Sequence, residues 1–197
     1  WAPDKVQKQV PLFGRPIVGV VYSDLAYVDE RDEVFSLPRS RYHRGRVTRE
    51  LFLENFIPFG SAVVRRSCLE RLGAFDESLS MGIDWDLWLR LSADWEFDFH
   101  PEPLLFYRLW SGQMSKNFAG RYEGTAKIMQ RFLTANPGRI EPSTRRAAWV
   151  STYVGHARLL AEHSQKRRAL GFLARAVLAS PLCGRPWLEL ARLPFIR

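Results

Sequence analysis

The chain has 197 residues, 46% of them hydrophobic, and a net charge of +8, which suits one domain with an appendage. Its two cysteines, Cys68 and Cys183, exclude a disulfide framework and a cysteine metal cluster and fit a reducing compartment. No apolar run approaches the roughly 20 residues needed to span a bilayer.

The first part of the chain predicts an alternation of strands and helices, which is typical of an α/β fold. The β-branched run at 17–22 predicts a strand buried on both faces. In the segment 3–13, Val6, Val10 and Phe13 recur at helical spacing. The predicted order is a helix at 3–13, a strand at 17–22, an acidic loop or hairpin at 25–37, a basic loop at 38–46, and a short helix at 47–55.

The middle of the chain continues this alternation. Ser67 and Glu70 have the spacing of a capping box, which predicts a short helix that ends at Gly73. We expect the strand at 17–22 to lie beside a strand at 61–66. The remaining elements are an amphipathic helix at 84–93, two short strands at 96–100 and 104–109 joined through Pro101 and Pro103, and a helix near 119–135.

The composition changes near residue 136, and residues 137–197 predict an all-α tail after a first domain at 1–136. Two amphipathic helices form a predicted αα-hairpin before a last short helix after Pro186. One predicted face consists of Trp149, Tyr153, Ala157 and Leu160, and the next of Leu170, Leu173, Ala174, Val177 and Leu178.

The positive charge is concentrated in this tail. Residues 143–197 contain 10 Lys and Arg against only Glu162 and Glu189, whereas residues 1–142 are neutral, with 19 basic and 19 acidic side chains. Such a segment indicates an anionic partner, and we expect an anionic membrane surface. Nucleic acid is ranked last, because the tail lacks the aromatic–basic pattern of stacking platforms. A merely solvated, Arg-rich helical face stays open as the alternative.

Three ordered motifs carry a family resemblance. They are GAFDE at 73–77, DWDLWLR at 84–90, and PEPLLFYR at 101–108 followed by GQMS at 112–115. In order and spacing they resemble the second half of bacterial family 2 glycosyltransferases. The resemblance covers about residues 1–118. It implies a partial GT-A fold, a Rossmann-like nucleotide-diphospho-sugar transferase fold without its N-terminal strands.

The start of the chain, WAPDKVQKQV at 1–10, resembles the segment that follows the acidic DxD-type metal motif in this family. The resemblance therefore implies that the metal ligands precede Trp1. A divalent ion, Mg or Mn, is expected for the full-length enzyme, with no metal ligands in this chain, and residues 1–197 alone are expected to be inactive. The acidic stretch 23–29 is not the metal motif.

Asp84 is the candidate catalytic residue. The resemblance gives it the role of the base that takes a proton from the acceptor hydroxyl, and a carboxylate at a helix start suits that role. The alternative is a helix N-cap. The family's preceding Glu is Ile83 here, and its His after the YR pair is Trp110, which puts metal dependence in doubt.

The candidate substrate-binding residues are Trp85, Arg108 and Asp76. Trp85 is either a core residue or the floor of an acceptor site, and Arg108 either contacts the donor diphosphate or forms a structural ion pair. Asp76 is expected first to fix the turn before the base, and Asp86 to pair with an arginine. Arg65 and Arg66 either reach a phosphate or end an edge strand.

The resemblance implies an inverting transferase that moves a sugar from a nucleotide-sugar donor to a glycan or lipid-linked acceptor, in cell-envelope polysaccharide synthesis. The expected location is cytoplasmic, at the inner face of the cytoplasmic membrane. The alternative is a degenerate, non-catalytic binding or scaffold module, which Ile83 and Trp110 favour.

Overall fold

A computed structural model describes residues 1–38, 42–109 and 120–193. The predicted mixture of strands and helices, followed by a helical tail, is confirmed. The helices are α1 Lys5–Gln9, α2 Thr48–Leu53, α3 Arg66–Leu72, α4 Ile83–Asp94, α5 Arg121–Ala135, α6 Pro142–Glu162, α7 Lys166–Ala179 and α8 Gly184–Arg192. The strands are β1 Val18–Val28, β2 Val34–Ser36, β3 Val63–Val64 and β4 Glu96–Arg108. Short 3-10 turns follow α1 and precede β3.

The chain divides into two compact units. The first comprises Trp1–Leu79 and Ile83–Asn117, and the second comprises Ser80–Gly82 and Phe118–Arg197. This division groups α5 with the tail helices, whereas the sequence places the domain boundary after residue 136. No helix in the described ranges combines the length and apolar character needed to cross a membrane.

The first unit is built around one four-stranded sheet. β4 runs parallel to β1 along nearly its whole length, from Val18 to Val28 of β1. β3 and β2 pair antiparallel with different parts of β1, so they share the edge that β4 does not use. The predicted neighbourhood of the strands at 17–22 and 61–66 is confirmed by the Val20–Val64 and Val21–Val63 pairs.

Strand lengths differ from the sequence predictions. β1 extends six residues beyond the predicted 17–22, to Val28, and β2 makes the acidic segment a hairpin. The prediction of two short strands at 96–100 and 104–109 was wrong, because β4 is continuous from Glu96 to Arg108. Its register shifts near Pro103, so the strand accommodates the prolines as an irregularity at the sheet edge.

The helix α1 buries two of its polar side chains. Lys5 and Gln9 are buried, whereas Val6 and Val10, which the hydrophobic spacing marks as the helix face, are largely exposed. Gln9 Nε2 donates to the carbonyls of Val21 at 3.1 Å and of Ser61 at 2.9 Å. Lys5 Nζ donates to Gln9 Oε1 at 2.6 Å, and burial lowers the pKa of its ammonium group.

The predicted capping box at Ser67 was wrong. α3 begins at Arg66 and its N-cap position is Arg65, two residues before the predicted cap, without a side-chain cap hydrogen bond. The helix does end before Gly73, which adopts φ 81° as predicted for a C-terminal glycine. Arg65 is held instead by backbone carbonyls of Val18 at 3.2 Å and Phe13 at 2.9 Å, so the start of α3 is anchored to the start of β1.

The core of the first unit lies between the sheet and α2 and α4. Gly19 marks its tightest point, since a Cβ there would lie 2.7 Å from Trp95 Cβ. Tyr22 also fixes the segment before α2, because its hydroxyl donates to His43 O and accepts from His43 N, both at 2.8 Å. The largest buried side chains are Trp88, Tyr22, Phe52, Phe97, Phe99, Leu51, Leu87, Leu89, Leu91 and Leu104.

The second unit contains the predicted helical tail, with its own core between α6, α7 and α8. The buried residues are Val150, Val154, Ala157, Leu160, Ala161, Ala169, Leu173 and Ala176. The predicted packing face of α7 is partly wrong. Leu173 is buried, but Leu170 and Leu178 are 51% and 80% exposed, because α7 turns Ala169 and Ala176 inward instead.

Candidate functional site

Asp84 is positioned by hydrogen bonds that join α2 to α4. Near one end Thr48 Oγ1 donates to the Ser92 carbonyl at 2.7 Å, and in the middle Trp85 Nε1 donates to the Leu51 carbonyl at 2.7 Å. At the other end Asn55 Nδ2 donates to Asp84 Oδ2 at 2.9 Å. These contacts set the position of α4 along α2, and therefore the position of the Asp84 carboxylate.

The Asp84 carboxylate is half-buried in the first turn of α4. It is the second residue of the helix, so it interacts favourably with the helix dipole whether or not it caps the helix. Within residues 1–38, 42–109 and 120–193 its side chain accepts one hydrogen bond, from Asn55, and this bond is to Oδ2. Oδ1 therefore remains available to accept a proton.

The turn before α4 is held by a second carboxylate. Asp86 is buried and its Oδ2 accepts from Arg90 Nε at 2.8 Å, which confirms the predicted arginine partner. The Arg90 guanidinium also donates to the carbonyls of Leu72 at 3.1 Å and Ala74 at 2.7 Å. The buried pair thus connects the end of α3 to α4, the helix that carries Asp84.

Asp76 stabilises the turn that follows α3. Its Oδ1 accepts from the Ser78 amide at 2.9 Å, and its carbonyl accepts from the Leu79 amide at 3.1 Å. This is the turn-fixing role expected from the sequence. A substrate contact by Asp76 stays a prediction.

Trp85 and Trp88 are both buried in the core of the first unit. The indole N–H of Trp85 donates to the Leu51 carbonyl, so Trp85 has a structural role in the α2–α4 contact. The role of Trp85 as the floor of an acceptor site stays a prediction.

The predicted phosphate-reaching arginines have structural contacts. Arg108 forms an ion pair with Asp32, which follows β1, and both side chains are more than half exposed. Arg66 pairs with Glu70 at 3.0 Å within α3. The Arg65 guanidinium donates hydrogen bonds to backbone carbonyls, as described above. The donor contact of Arg108 stays a prediction, and the position of Trp110 lies outside the described residues.

In the part of the chain that the structure describes, no group of three or more His, Cys, Asp or Glu side chains could hold a metal ion. The divalent ion, Mg or Mn, stays a prediction.

Asn55 is the site residue that sequence reasoning missed. It lies 29 residues before Asp84, just after a short helix, and belongs to no motif or periodic pattern. The available signal was indirect: an amide at the end of the predicted short helix at 47–55.

The mixed sheet, its covering helices and the tail are compatible with a partial GT-A-like glycosyltransferase fold followed by a helical tail. The family described as glycosyltransferase-like family 2 matches residues 1–135, and the chain belongs to this family. A comparison with curated proteins found no match to the chain. Membership supports glycosyltransferase function and, in general, a nucleotide-sugar donor and an acceptor as partners.

Proposed function

We propose that the protein is an inverting glycosyltransferase in which Asp84 is the catalytic base. The observation that carries this proposal is the half-buried carboxylate at the start of α4, held on one oxygen by Asn55 at 2.9 Å. A carboxylate with one oxygen oriented and the other available is suited to accept a proton from a hydroxyl.

In the proposed reaction the acceptor hydroxyl oxygen attacks the anomeric carbon of the donor sugar. Asp84 takes the hydroxyl proton as the new carbon–oxygen bond forms, and the bond from the anomeric carbon to the diphosphate oxygen breaks. Attack opposite to the leaving group inverts the configuration. A divalent ion, Mg or Mn, would neutralise charge on the diphosphate in the full-length enzyme.

The proposed acceptor is a glycan or a lipid-linked glycan of cell-envelope polysaccharide synthesis, and the proposed location is cytoplasmic, at the inner face of the cytoplasmic membrane. The basic tail supports the proposed location, and family membership supports a sugar acceptor in general. Trp85, Arg108 and Asp76 are secondary candidates for substrate contacts, since each already has a structural partner.

The test is the turnover of Asp84→Asn in the protein expressed from its complete reading frame. We expect turnover to fall by a factor of roughly 10² or more, the scale of general-base loss, with the circular dichroism spectrum unchanged. The matched control is Asp94→Asn, the same substitution at the other end of α4, where the carboxylate pairs with Arg71 at 3.2 Å. Wild-type turnover in Asp84→Asn would refute the base assignment, whereas an absence of turnover in the wild-type protein would favour the non-catalytic module.

Asn55 is proposed as a positioning residue that acts through Asp84. Asn55→Ala should lower turnover about tenfold, because a hydrogen bond to a charged group is worth on the order of 1.5 kcal/mol. In the Asp84→Asn background the same change should lower turnover no further, because the carboxylate base that Asn55 orients is gone. Additive losses would show that Asn55 has a purely structural role.

A further inference from the structure

The outward face of α7 is apolar. Leu170, Ala174 and Leu178 are all exposed, and their i, i+4, i+8 spacing places them on one line along the helix. Leu182, in the turn after α7, is 100% exposed. The second unit's own core uses Ala169, Leu173 and Ala176 of α7. It leaves Leu170 and Leu178 51% and 80% exposed.

Helix α8 has the same inverted arrangement. Trp187 and Leu188 are 52% and 50% exposed, whereas the carboxylate of Glu189 is buried. Glu189 Oε1 accepts from Arg158 Nη2 at 2.5 Å, so an ion pair holds the inner side of the helix. A helix in water normally does the reverse, with its apolar residues inward and its charges outward. The outward apolar face therefore indicates that this helix binds an apolar partner.

Trp187 is arranged so that it can leave water at little cost. Its indole Nε1 donates to the carbonyl of Pro181 at 2.9 Å, which folds the ring back on the turn that carries Leu182. An indole whose N–H is already bonded does not lose a hydrogen bond when its ring enters an apolar layer. We name Leu170, Leu178, Leu182, Trp187 and Leu188 together the C-terminal apolar surface.

The charges beside this surface have one sign. Arg167 and Arg175 each lie three residues before an exposed leucine of α7, and Arg185 and Arg192 flank Leu188 on α8 at helical spacing. All four are exposed. Between residues 163 and 193 the sequence has one acidic residue, the buried and paired Glu189. The C-terminal apolar surface thus has a basic rim without exposed acidic groups.

We propose that the C-terminal apolar surface docks on an anionic phospholipid bilayer. The leucines and the Trp187 ring enter the boundary between headgroups and acyl chains, and the flanking arginines contact lipid phosphates. A bilayer accepts exposed leucines and arginines together without a matching pocket. The composition of the tail predicts an anionic partner, and the structure adds the apolar residues that a solvated arginine face would not need.

Charge favours this occupant over a second copy of the chain. A symmetric contact through the same surface would bring the four arginines against their own equivalents, and like charges at short range are unfavourable. An anionic bilayer turns the same charges into attraction. The proposal goes beyond glycosyl transfer and does not depend on it.

The test is co-sedimentation of the 197-residue chain with phosphatidylcholine vesicles, with and without phosphatidylserine. We expect binding only when phosphatidylserine is present, and weaker binding as salt rises, because salt shortens the range of the arginine–phosphate attraction. Leu178→Ser with Leu182→Ser should weaken the binding at least about tenfold, since two leucines no longer enter the bilayer. Arg175→Gln with Arg185→Gln should weaken it about fivefold or more.

Matched controls come from the first unit. Val6→Ser with Leu37→Ser removes two aliphatic side chains that are also mostly exposed, and Arg49→Gln with Arg66→Gln removes two exposed arginines. Neither pair should change vesicle binding, and circular dichroism should be unaltered in every variant.

The proposal is overturned if no vesicle is bound, if neutral and anionic vesicles bind equally, or if the control pairs reduce binding as much as the tail variants. It is also overturned if sedimentation velocity shows a dimer that the Leu178→Ser, Leu182→Ser variant dissociates while vesicle binding persists. That result would assign the surface to self-association.

Discussion

Helices α4 and α8 distribute their side chains in opposite ways. α4 buries eight of its twelve residues, including Trp85 and Trp88, and leaves the carboxylate of Asp84 half-exposed at its start. α8 buries the carboxylate of Glu189 and leaves Trp187 exposed. In each helix the exposed group, Asp84 in α4 and Trp187 in α8, lies outside the buried face of that helix. The chemistry of that group, an acid in one and an apolar ring in the other, indicates two different partners.

Each helix also contains a buried carboxylate neutralised by arginine. In α4 the partner of Asp86 is Arg90 of the same helix, one turn away at 2.8 Å. In α8 the principal partner of Glu189 is Arg158 of α6 at 2.5 Å. The first pair therefore stiffens a helix and its preceding turn, whereas the second attaches one helix to another. The two helices should respond differently to substitution.

The largest expected difference comes from replacing one tryptophan in each helix. Trp88→Ala should destabilise the protein by about 3–5 kcal/mol, because it empties a buried site. Trp187→Ala should cost less, about 1–2 kcal/mol, because it removes one hydrogen bond to Pro181 and a ring that is 52% exposed. Denaturant unfolding monitored by circular dichroism measures both. Similar losses would contradict the assignment of Trp187 to an outward surface.

A smaller effect is expected from the interhelical ion pair. Glu189→Gln should cost about 1 kcal/mol, since the hydrogen bond to Arg158 loses its charge and the partly exposed guanidinium stays screened by water. Glu162→Gln, an exposed acid of α6, is the matched control and should change stability little. An equal loss in both variants would argue against a specific Glu189–Arg158 contribution.

The same pair gives a pH signature. The hydrogen bond from Arg158 lowers the pKa of Glu189 from its ordinary value of 4.5. The pair therefore stabilises the folded protein fully above about pH 4.5 and loses this contribution as the pH falls through the lowered pKa. The stability difference between wild type and Glu189→Gln should shrink in acid. A difference that is constant with pH would contradict the ion pair.

The smallest effect concerns a buried ionisable group of α6 that lacks such a partner. His156 lies against the rings of Tyr122 and Phe172, and burial lowers its pKa from 6.5. Because the unfolded chain takes up the proton first, the stabilising contribution is complete above about pH 6.5 and declines as the pH falls below it. Glu123 opposes this lowering and Arg168 adds to it.

His156→Gln should remove that slope from the pH dependence of the unfolding free energy. Thermal unfolding at several pH values on both sides of neutrality measures it, with His163→Gln at an exposed position as the control. An unchanged slope in His156→Gln would mean that the His156 pKa is the same in the folded and unfolded chain.

Elements with strong local patterns could be predicted from the sequence. The buried β-branched strand, α4 and the tail helices have long apolar patterns, and the structure contains all of them. The faces of α1 and α7 could not be predicted, because tertiary contacts decided them. In α1, burial of Gln9 satisfies two backbone carbonyls, which burial of Val6 would not do. In α7, the small side chains of Ala169 and Ala176 allow close helix packing, which Leu178 would prevent.

The candidate site was predicted in part. The motif led to Asp84, and the arginine partner of Asp86 follows from i, i+4 spacing. Asn55 was not predictable, since its contact with Asp84 spans 29 residues and depends on how α2 lies on α4. The contacts of Arg65 with the Phe13 and Val18 carbonyls likewise depend on the folded chain.

The two hydrogen bonds of the Gln9 amide have a kinetic consequence. α1 has five residues, too few to persist alone in water, and its buried amide needs the carbonyls of Val21 and of Ser61, the latter 52 residues away. The first helix of the chain can therefore become stable only after β1 has formed and the segment before β3 has joined it. We therefore expect α1 to be among the last elements of its unit to gain protection from hydrogen exchange during refolding.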